Sequence, residues 1–319
     1  YDVHVACQVT DDQSRRDIED AGLACHPFEM SRSGINPIQE ARSFGALREL
    51  VKSISPKLIH TITVKPNLYG GLIGRRSAIP TVASVTGLGS VFASKRPHHK
   101  ALARAILLCC RYLSSGSRFF LLFENKVDQA MFLESGAARA AQSMVVSGAG
   151  VDTELFRYRE PEKHAPFRVL FAARLIREKG LELLVESVGN LRDRGCDVEL
   201  WVAGISDPTA QHPISQRQLD AWQSAGLIRY LGKRGDMADL LAEVDVVCLP
   251  TMYREGIPRI LIEAGAVGRP VITTDVAGCS ELITDGRNGR LVKAGSVAQV
   301  EQTILDLAQS FETVVSMGK

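Results

Sequence analysis

Residues 255–263 read Glu255-Gly256-Ile257-Pro258-Arg259-Ile260-Leu261-Ile262-Glu263, with two carboxylates placed around the predicted start of a helix. Pro258 suits a first helical turn, because its fixed φ fits the helix and its missing N–H is not needed there. Gly256 has no Cβ, so a ligand can approach the backbone closely. The free N–H groups and the dipole of such a helix end favour an anion. Glu263 lies about a turn and a half further on. There an ionised carboxylate can accept two hydrogen bonds from a vicinal diol such as a ribose. Glu255 precedes the helix, where a sugar attached to a bound phosphate would sit. The competing reading is two ordinary acids, one exposed and one on a helix. Against it, Glu263 stands among Ile260, Leu261, Ile262, Ala264 and Ala266, and a carboxylate in such company needs a partner.

A second candidate is Ala173-Arg174-Leu175-Ile176-Arg177-Glu178-Lys179-Gly180, directly after a predicted strand. Arg174 leaves the strand end and Lys179 stands near the start of the next predicted helix. Two cations across such a turn can flank a diphosphate and stabilise it as a leaving group. A solvated surface pair is the alternative. In the first half, Lys65 follows a predicted strand and is a candidate for an acceptor phosphate. His60 ends that same strand, and a core or strand-end role is favoured over a site role. His98 and His99 belong to a basic run and are expected on a solvated face. No Asp-x-Asp triplet occurs, and no His, Asp or Glu cluster has metal-ligand spacing. The reading therefore has no metal and no cofactor, with cations and a helix end neutralising charge instead.

These residues must be held by an alternation of strands and helices that runs through the chain and predicts doubly wound α/β domains. In the first half, strands are expected at 3–9, 23–28, 57–62, 80–85, 119–123 and 143–146. Helices are expected at 11–22, from Asn36 to about 53, up to 76, and over about 97–113. Asn36, Pro37 and Gln39 supply a cap, a first-turn proline and a back-reaching amide. Residues 157–166 are polar and carry two prolines, which predicts the domain linker. In the second half, strands at 168–172, 198–202, 228–231, 244–249, 270–273 and 289–292 are rich in Val, Leu and Ile, as buried parallel strands are. Helices are expected at 178–194, 215–225, 237–242, 258–267 and 297–309. Two such sheets leave a cleft at their strand C-termini, where ligands bind in open α/β folds.

The 319 residues are 45% hydrophobic and 23% charged, a soluble globular composition. The seven cysteines show no CxxC and no ligand spacing, which points to reduced thiols in a cytosolic protein; adjacent Cys109 and Cys110 are expected to be buried. No apolar run is long enough to span a membrane. Charge is uneven: residues 1–150 hold 18 Lys and Arg against 12 Asp and Glu, and the remainder holds 20 against 24. No acidic residue lies between Glu49 and Glu124. Such a field attracts phosphate-rich partners. From Ser94 to Phe123 cations mix with Leu, Ile and aromatics, which reads as an amphipathic core helix whose cations can also face an anionic membrane. Nucleic acid is a poor match, since no binding motif is present. A dinucleotide-dependent dehydrogenase is disfavoured because no GxGxxG turn follows a strand.

The Arg174/Lys179 turn and the Glu255-to-Glu263 spacing, together with Ser147-Gly148-Ala149-Gly150-Val151-Asp152 and Gly278-Cys279-Ser280-Glu281 with Asn288-Gly289, resemble glycosyltransferase family 4. The resemblance covers nearly the whole chain and is most specific over 168–292. The first half, through residues 60–67 and Val85-Thr86-Gly87-Leu88-Gly89, is similar to the branch that builds capsule, O-antigen of lipopolysaccharide, or exopolysaccharide repeat units. The family implies a GT-B fold, with two Rossmann-like doubly wound domains facing a cleft. Residues 1–157 would bind the acceptor and 167–319 the nucleotide-sugar. The opening central strand and its glycine-rich loop are expected upstream of Tyr1, and a fragment without them need not be active by itself.

The resemblance further implies retaining, metal-independent hexosyl or N-acetylhexosaminyl transfer. The donor would be a UDP-sugar, and the acceptor a glycan or a polyprenyl-diphosphate-linked acceptor at the inner leaflet. Arg174 and Lys179 would hold the donor diphosphate, and Glu263 the ribose. Glu255 would contact the donor sugar, with the N–H groups of Gly256 and Ile257 nearby. Arg234 and Gly235 would lie against the base, with Met237 and Leu241 closing the pocket. Many relatives carry a histidine where this chain has Thr86, beside Gly87 on the acceptor side. Thr86 takes no proton at neutral pH, but the leaving phosphate can accept the acceptor's proton. Two rival readings are a nucleotide-sugar 2-epimerase and a non-catalytic nucleotide-sugar-binding subunit.

Overall fold

The computed structural model describes residues 2–9, 12–30, 36–93, 96–207, 210, 212–252 and 255–319. Asp11, Ser94 and Lys95, expected in the first helix and the basic stretch, lie outside the described residues. Two compact units form. One comprises Tyr1–Ser84, Ile106–Leu122 and Gly136–Ser143; the other comprises Val85–Ala105, Phe123–Ser135 and Met144–Lys319.

The first half runs β1 (His4–Cys7), α1 (Asp12–Asp20), β2 (Ala24–Pro27), α2 (Pro37–Ile54), β3 (Ile59–Ile62), α3 (Val64–Ser77), β4 (Thr81–Val85), α4 (Gly89–Ala93), α5 (Pro97–Ser114), β5 (Phe119–Phe123), α6 (Lys126–Glu134) and β6 (Ser143–Val145). The predicted start of α2 is met: the Asn36 side chain accepts from the Ile38 N–H at 3.0 Å, and Ser55 ends the helix with φ 52°. The strands differ from the expectation of one sheet. β1 and β2 form a parallel pair of their own, and β3-β4-β5-β6 form a separate sheet in that order. Residues of β1 and β2 are at most half-buried, so little apolar burial supports them. Cys110 is buried as expected, whereas Cys109 is only half-buried.

The second half runs β7 (Phe167–Ala172), α7 (Leu181–Asp193), β8 (Val198–Ala203), α8 (Gln216–Ser224), β9 (Arg229–Gly232), α9 (Met237–Ala242), β10 (Val246–Leu249), α10 (Arg259–Val267), β11 (Val271–Thr274), β12 (Gly289–Val292), α11 (Val297–Gln309) and α12 (Phe311–Gly318). Strands β7, β8, β10 and β11 are buried on both faces, which is why they read as unbroken Val, Leu and Ile runs. They form one parallel sheet ordered β12-β11-β10-β7-β8-β9. The order reverses between β10 and β7. In an open α/β sheet the crevice for a ligand lies beyond the strand C-termini at that reversal.

Several local expectations are corrected. The helix expected from Glu178 begins only at Leu181, because Gly180 adopts φ +83° and leaves Arg177–Lys179 as a single 3₁₀ turn. Pro258 is the N-cap of α10 rather than its first helical residue. Helices α4, α6 and α12 were not anticipated. The stretch 157–166 has no regular structure but is tied down within the second unit: the buried Arg269 guanidinium donates to the Arg159 carbonyl at 2.8 Å, and His164 Nδ1 lies 3.1 Å from Asp245.

Candidate active site

The site is built in the second unit at the β7/β10 reversal. The chain leaving β7 reaches Lys179, and the chain leaving β10 reaches Glu255. The two side chains form an ion pair and are 9% and 11% exposed. Glu255 is held on its other side, where the Thr251 hydroxyl donates to Oε1 at 2.7 Å. The two loops are also joined through the backbone. Met252 N–H donates to the Glu178 carbonyl at 2.8 Å, and the Thr251 hydroxyl reaches that same carbonyl at 3.3 Å. β11 completes the support, with the Thr274 hydroxyl donating to the Thr251 carbonyl at 2.6 Å and Glu255 N–H to the Ala277 carbonyl at 3.3 Å. Gly180 is required where these loops meet, since a Cβ there would run into the Pro250 carbonyl. The sequence assigned Lys179 and Glu255 to two parts of a ligand. The structure shows them first of all as each other's partner, which is how a charge is kept in so buried a place.

Glu263, on the first turns of α10, is buried and has Arg259 as its ion-pair partner at 2.6 Å; its side chain is 8% exposed, that of Arg259 70%. The expected need for a partner is thus met by a neighbour one helical turn back. Ile257 is buried, and its N–H is not free: it donates to Glu124 Oε2 at 3.0 Å. Gly256 sits directly beneath that carboxylate. A Cβ on it would lie 2.9 Å from the Glu124 carboxyl carbon and 2.6 Å from the Thr86 carbonyl oxygen. Gly87, with φ +114°, approaches the Gly256 N–H from the other side. Thr86 and Gly87, expected on the acceptor side, therefore stand against the Glu255–Ile257 loop within the second unit, and Thr86 faces it with its carbonyl.

Residues 124–126 reinforce this loop. The buried Asn125 side chain caps α6 by accepting from the Asp128 N–H at 2.7 Å and donates to the Glu255 carbonyl at 3.2 Å. Lys126 N–H donates to both oxygens of Glu281 at 2.9 Å. Burial pushes the Glu124 carboxyl above its ordinary value; the Ile257 N–H opposes this and the charge of Asp128 adds to it. Sequence reasoning passed over Glu124, Asn125 and Thr251. One signal was present: Glu124 is the first acidic residue after Glu49, and it directly follows the wholly apolar strand β5.

The other candidates are placed apart from these contacts. Arg174 lies 3.7 Å from Asp207, with its guanidinium largely exposed. Arg234 is paired with Asp236, its Nε 2.7 Å from Oδ1, and open space surrounds Gly235. In the first unit, Lys65 Nζ contacts Glu40 at 2.8 Å, and Tyr69 donates to the same carboxylate. Burial and then that carboxylate push the Tyr69 hydroxyl up to about 12. Lys65, expected as a candidate for an acceptor phosphate, is an ion-pair member in this structure. His60 meets the Ser84 hydroxyl at 2.8 Å across β3 and β4, in keeping with a strand role. Among the described residues, no group of three or more His, Cys, Asp or Glu is arranged to hold a metal, and no helix is long and apolar enough to cross a membrane.

Comparison with known proteins matches residues 166–310 to the family described as glycosyl transferases group 1, and residues 1–118 to glycosyl transferase 4-like. An N,N'-diacetylbacillosaminyl-diphospho-undecaprenol alpha-1,3-N-acetylgalactosaminyltransferase of Campylobacter jejuni is 27% identical over 98% of this chain and 83% of its own. The amylovoran biosynthesis glycosyltransferase AmsK of Erwinia amylovora is 30% identical over 55% of this chain, and the match spans less than half of that relative, 44%. HepE of Anabaena, solved with UDP and glucose, superposes with a TM-score of 0.78 at 17% identity, covering 99% of this chain and 84% of its own. WaaG, a glycosyltransferase involved in lipopolysaccharide biosynthesis, gives 0.72 at 15% identity, covering 100% and 85%. These likenesses establish the GT-B fold, with Rossmann-like α/β units.

Proposed function

The chain belongs to the family 4 glycosyltransferases, in the branch that makes cell-surface polysaccharides, and from that premise we propose that it moves a sugar from a UDP-sugar to a polyprenyl-diphosphate-linked glycan with retention and without a metal ion. The single observation that carries the donor site is the Lys179–Glu255 pair at the sheet reversal. An arriving diphosphate offers Lys179 two negative charges in place of one, so it draws the ammonium away from Glu255. Arg174, exposed on the same loop, adds a second cation. Glu255, kept in place by Thr251, is then free on one oxygen to accept from a donor-sugar hydroxyl. Glu263 accepts from the ribose hydroxyls, exchanging its exposed partner Arg259 for the diol. Arg234 and Gly235 border the base.

In the reaction, the acceptor hydroxyl oxygen bonds to the anomeric carbon as the bond from that carbon to the diphosphate oxygen breaks. The electron pair of the broken bond stays on the diphosphate, which takes the acceptor's proton on the same face. No side-chain base is needed at position 86, where Thr stands. The charge that develops on the diphosphate is met by Lys179 and Arg174. The names of the Campylobacter relative and of the UDP-bound HepE support the choice of acceptor and nucleotide. On α5, Leu108 and Tyr112 are exposed beside Arg104 and Arg111, a surface suited to an anionic membrane at the cytoplasmic face, where such acceptors are presented.

The test uses calorimetry with UDP, followed by transfer from UDP-hexoses and UDP-N-acetylhexosamines to a polyprenyl-diphosphate-linked sugar. Lys179→Ala and Glu263→Gln are expected to weaken UDP binding or turnover by about tenfold or more. Wild-type protein that binds no UDP, or variants that bind and turn over as wild type does, would overturn the reading. Conversion of the donor to its epimer without acceptor would point to the rival epimerase.

A further inference from the structure

Glu124 has no role in the donor binding proposed above, yet its carboxylate lies directly against the Gly256–Ile257 backbone. Its Oε2 accepts the Ile257 N–H at 3.0 Å, and the glycine beneath it leaves room only for that carboxylate and the Thr86 carbonyl. Oε1 makes no hydrogen bond among the described residues. The side chain has little freedom to leave. The following residue, Asn125, is wholly buried and bonded to the Glu255 carbonyl, and Lys126 N–H is held by Glu281. Three consecutive residues therefore fix the carboxylate over the loop that carries Glu255.

We propose that Glu124 is a specificity-determining residue of the donor-sugar pocket, one carboxylate oxygen anchored on the Ile257 N–H and the other presented to a hydroxyl of the transferred sugar. The inference rests on the donor site proposed above. A bare surface carboxylate at this place would simply repel an incoming diphosphate. Glu124 differs in two respects: its anchor is a backbone N–H that cannot rotate away, and it is partly withdrawn from water. Burial disfavours its charged form, and a sugar hydroxyl restores a donor to it. A site built to hydrogen-bond a hydroxyl discriminates strongly against a donor that lacks it, because the buried acceptor is then left unpaired. Glu255, the ion-pair partner of Lys179, directly precedes Gly256, so the acid proposed to contact the sugar and the anchor of Glu124 belong to one short segment.

Binding without an acceptor separates this role from the chemistry. Full-length protein, Glu124→Ala and Glu124→Gln are titrated calorimetrically with UDP, UDP-glucose, UDP-galactose, UDP-N-acetylglucosamine and UDP-N-acetylgalactosamine. In the wild type, one UDP-sugar is expected to bind more tightly than the rest. In Glu124→Ala that preference should fall by about tenfold, with UDP affinity unchanged within about twofold. Glu124→Gln keeps an acceptor for the Ile257 N–H and a polar group for the sugar, so it should retain most of the preference. The proposal is overturned if Glu124→Ala keeps the wild-type order and spacing of affinities, if it binds UDP itself more tightly, or if Glu124→Ala and Glu124→Gln lose UDP binding equally. If the wild type binds no nucleotide, the donor-site reading itself falls and this one with it. If Glu124→Ala fails to fold, the decision passes to Glu124→Gln with Glu124→Leu; in that case a preference lost in Leu and kept in Gln supports the role, and one kept in both removes it.

Discussion

Replacing Lys179 with alanine exposes how the site is balanced before any ligand arrives. The side chains of Lys179 and Glu255 are 9% and 11% exposed, so removing the ammonium leaves a nearly dehydrated carboxylate. Breaking a buried pair from one side costs about 3–5 kcal/mol. Thr251 still donates to Glu255 Oε1 at 2.7 Å, which keeps one oxygen satisfied and places the expected cost at the lower end, about 3 kcal/mol. With a urea m-value of about 2–3 kcal/mol/M, the midpoint should fall by about 1–1.5 M. Both tryptophans, Trp201 and Trp222, lie in the second unit, so intrinsic fluorescence reports on the unit that holds the pair. The double variant Lys179→Met/Glu255→Gln removes both charges. It should be less destabilised than the sum of the single changes by about 1 kcal/mol or more. Added UDP at about 100 times its Kd should stabilise the wild type by about 2.7 kcal/mol and Lys179→Ala by clearly less. An apo Lys179→Ala within about 1 kcal/mol of wild type, together with additive double-variant behaviour, would refute the reasoning that the pair is buried and mutually dependent.

Two further predictions address Glu124 and its loop. Gly256→Ala should lower stability by about 1–3 kcal/mol, because the new methyl meets the Glu124 carboxylate and the Thr86 carbonyl; Glu124→Ala in the same chain should return part of that loss in urea unfolding. Glu124→Gln should change the pH profile of stability. Burial raises the folded-state value of this carboxyl above its ordinary 4.5, so the native protein holds the proton more tightly than the unfolded chain does. Stability is then lost as pH rises from the ordinary glutamate range through the raised value, and stays lower above it. Glutamine cannot ionise, so the variant should melt above wild type at about pH 7.5 and level with it near about pH 4. A constant difference in melting temperature across that range would count against a buried, titrating Glu124.

The second half of the chain was legible because its central strands are buried on both faces. Strands such as Val246–Leu249 are buried on both faces, so their Val and Leu runs need no partner pattern to be recognised. The start of α10 was legible to within one residue because Pro258, two residues after Gly256, marks a boundary: it fits a helix start and not a helix interior. What escaped was polar and long-range. Helix α6 was missed because it is secured by Asn125 and Asp128, both wholly buried, and a periodicity argument treats such residues as solvent-facing. The sheet of the first half was over-unified, since alternation identifies strands but not which strands share hydrogen bonds.

The same blindness governs the site. The sequence placed two acids and two cations at ligand positions, but nothing in their spacing told that Lys179 and Glu255, brought together from separate loops, would neutralise each other before a ligand does. A diphosphate therefore does not bind to a waiting cation; it exchanges with a carboxylate, and its net affinity is the difference between two ion pairs less the cost of dehydrating the diphosphate. That difference is small unless the displaced carboxylate finds a new partner on the same ligand. Glu255 can do so only if the sugar lies beside it, which is also where the Ile257 N–H holds Glu124. On this account UDP alone gains less from the exchange than a UDP-sugar, which satisfies the displaced acid and the anchored one together. Donor and spent nucleotide are told apart by hydrogen bonds that only the intact donor supplies. A UDP affinity equal to that of the preferred UDP-sugar would contradict the exchange, because it would mean that Glu255 loses nothing when Lys179 is taken from it.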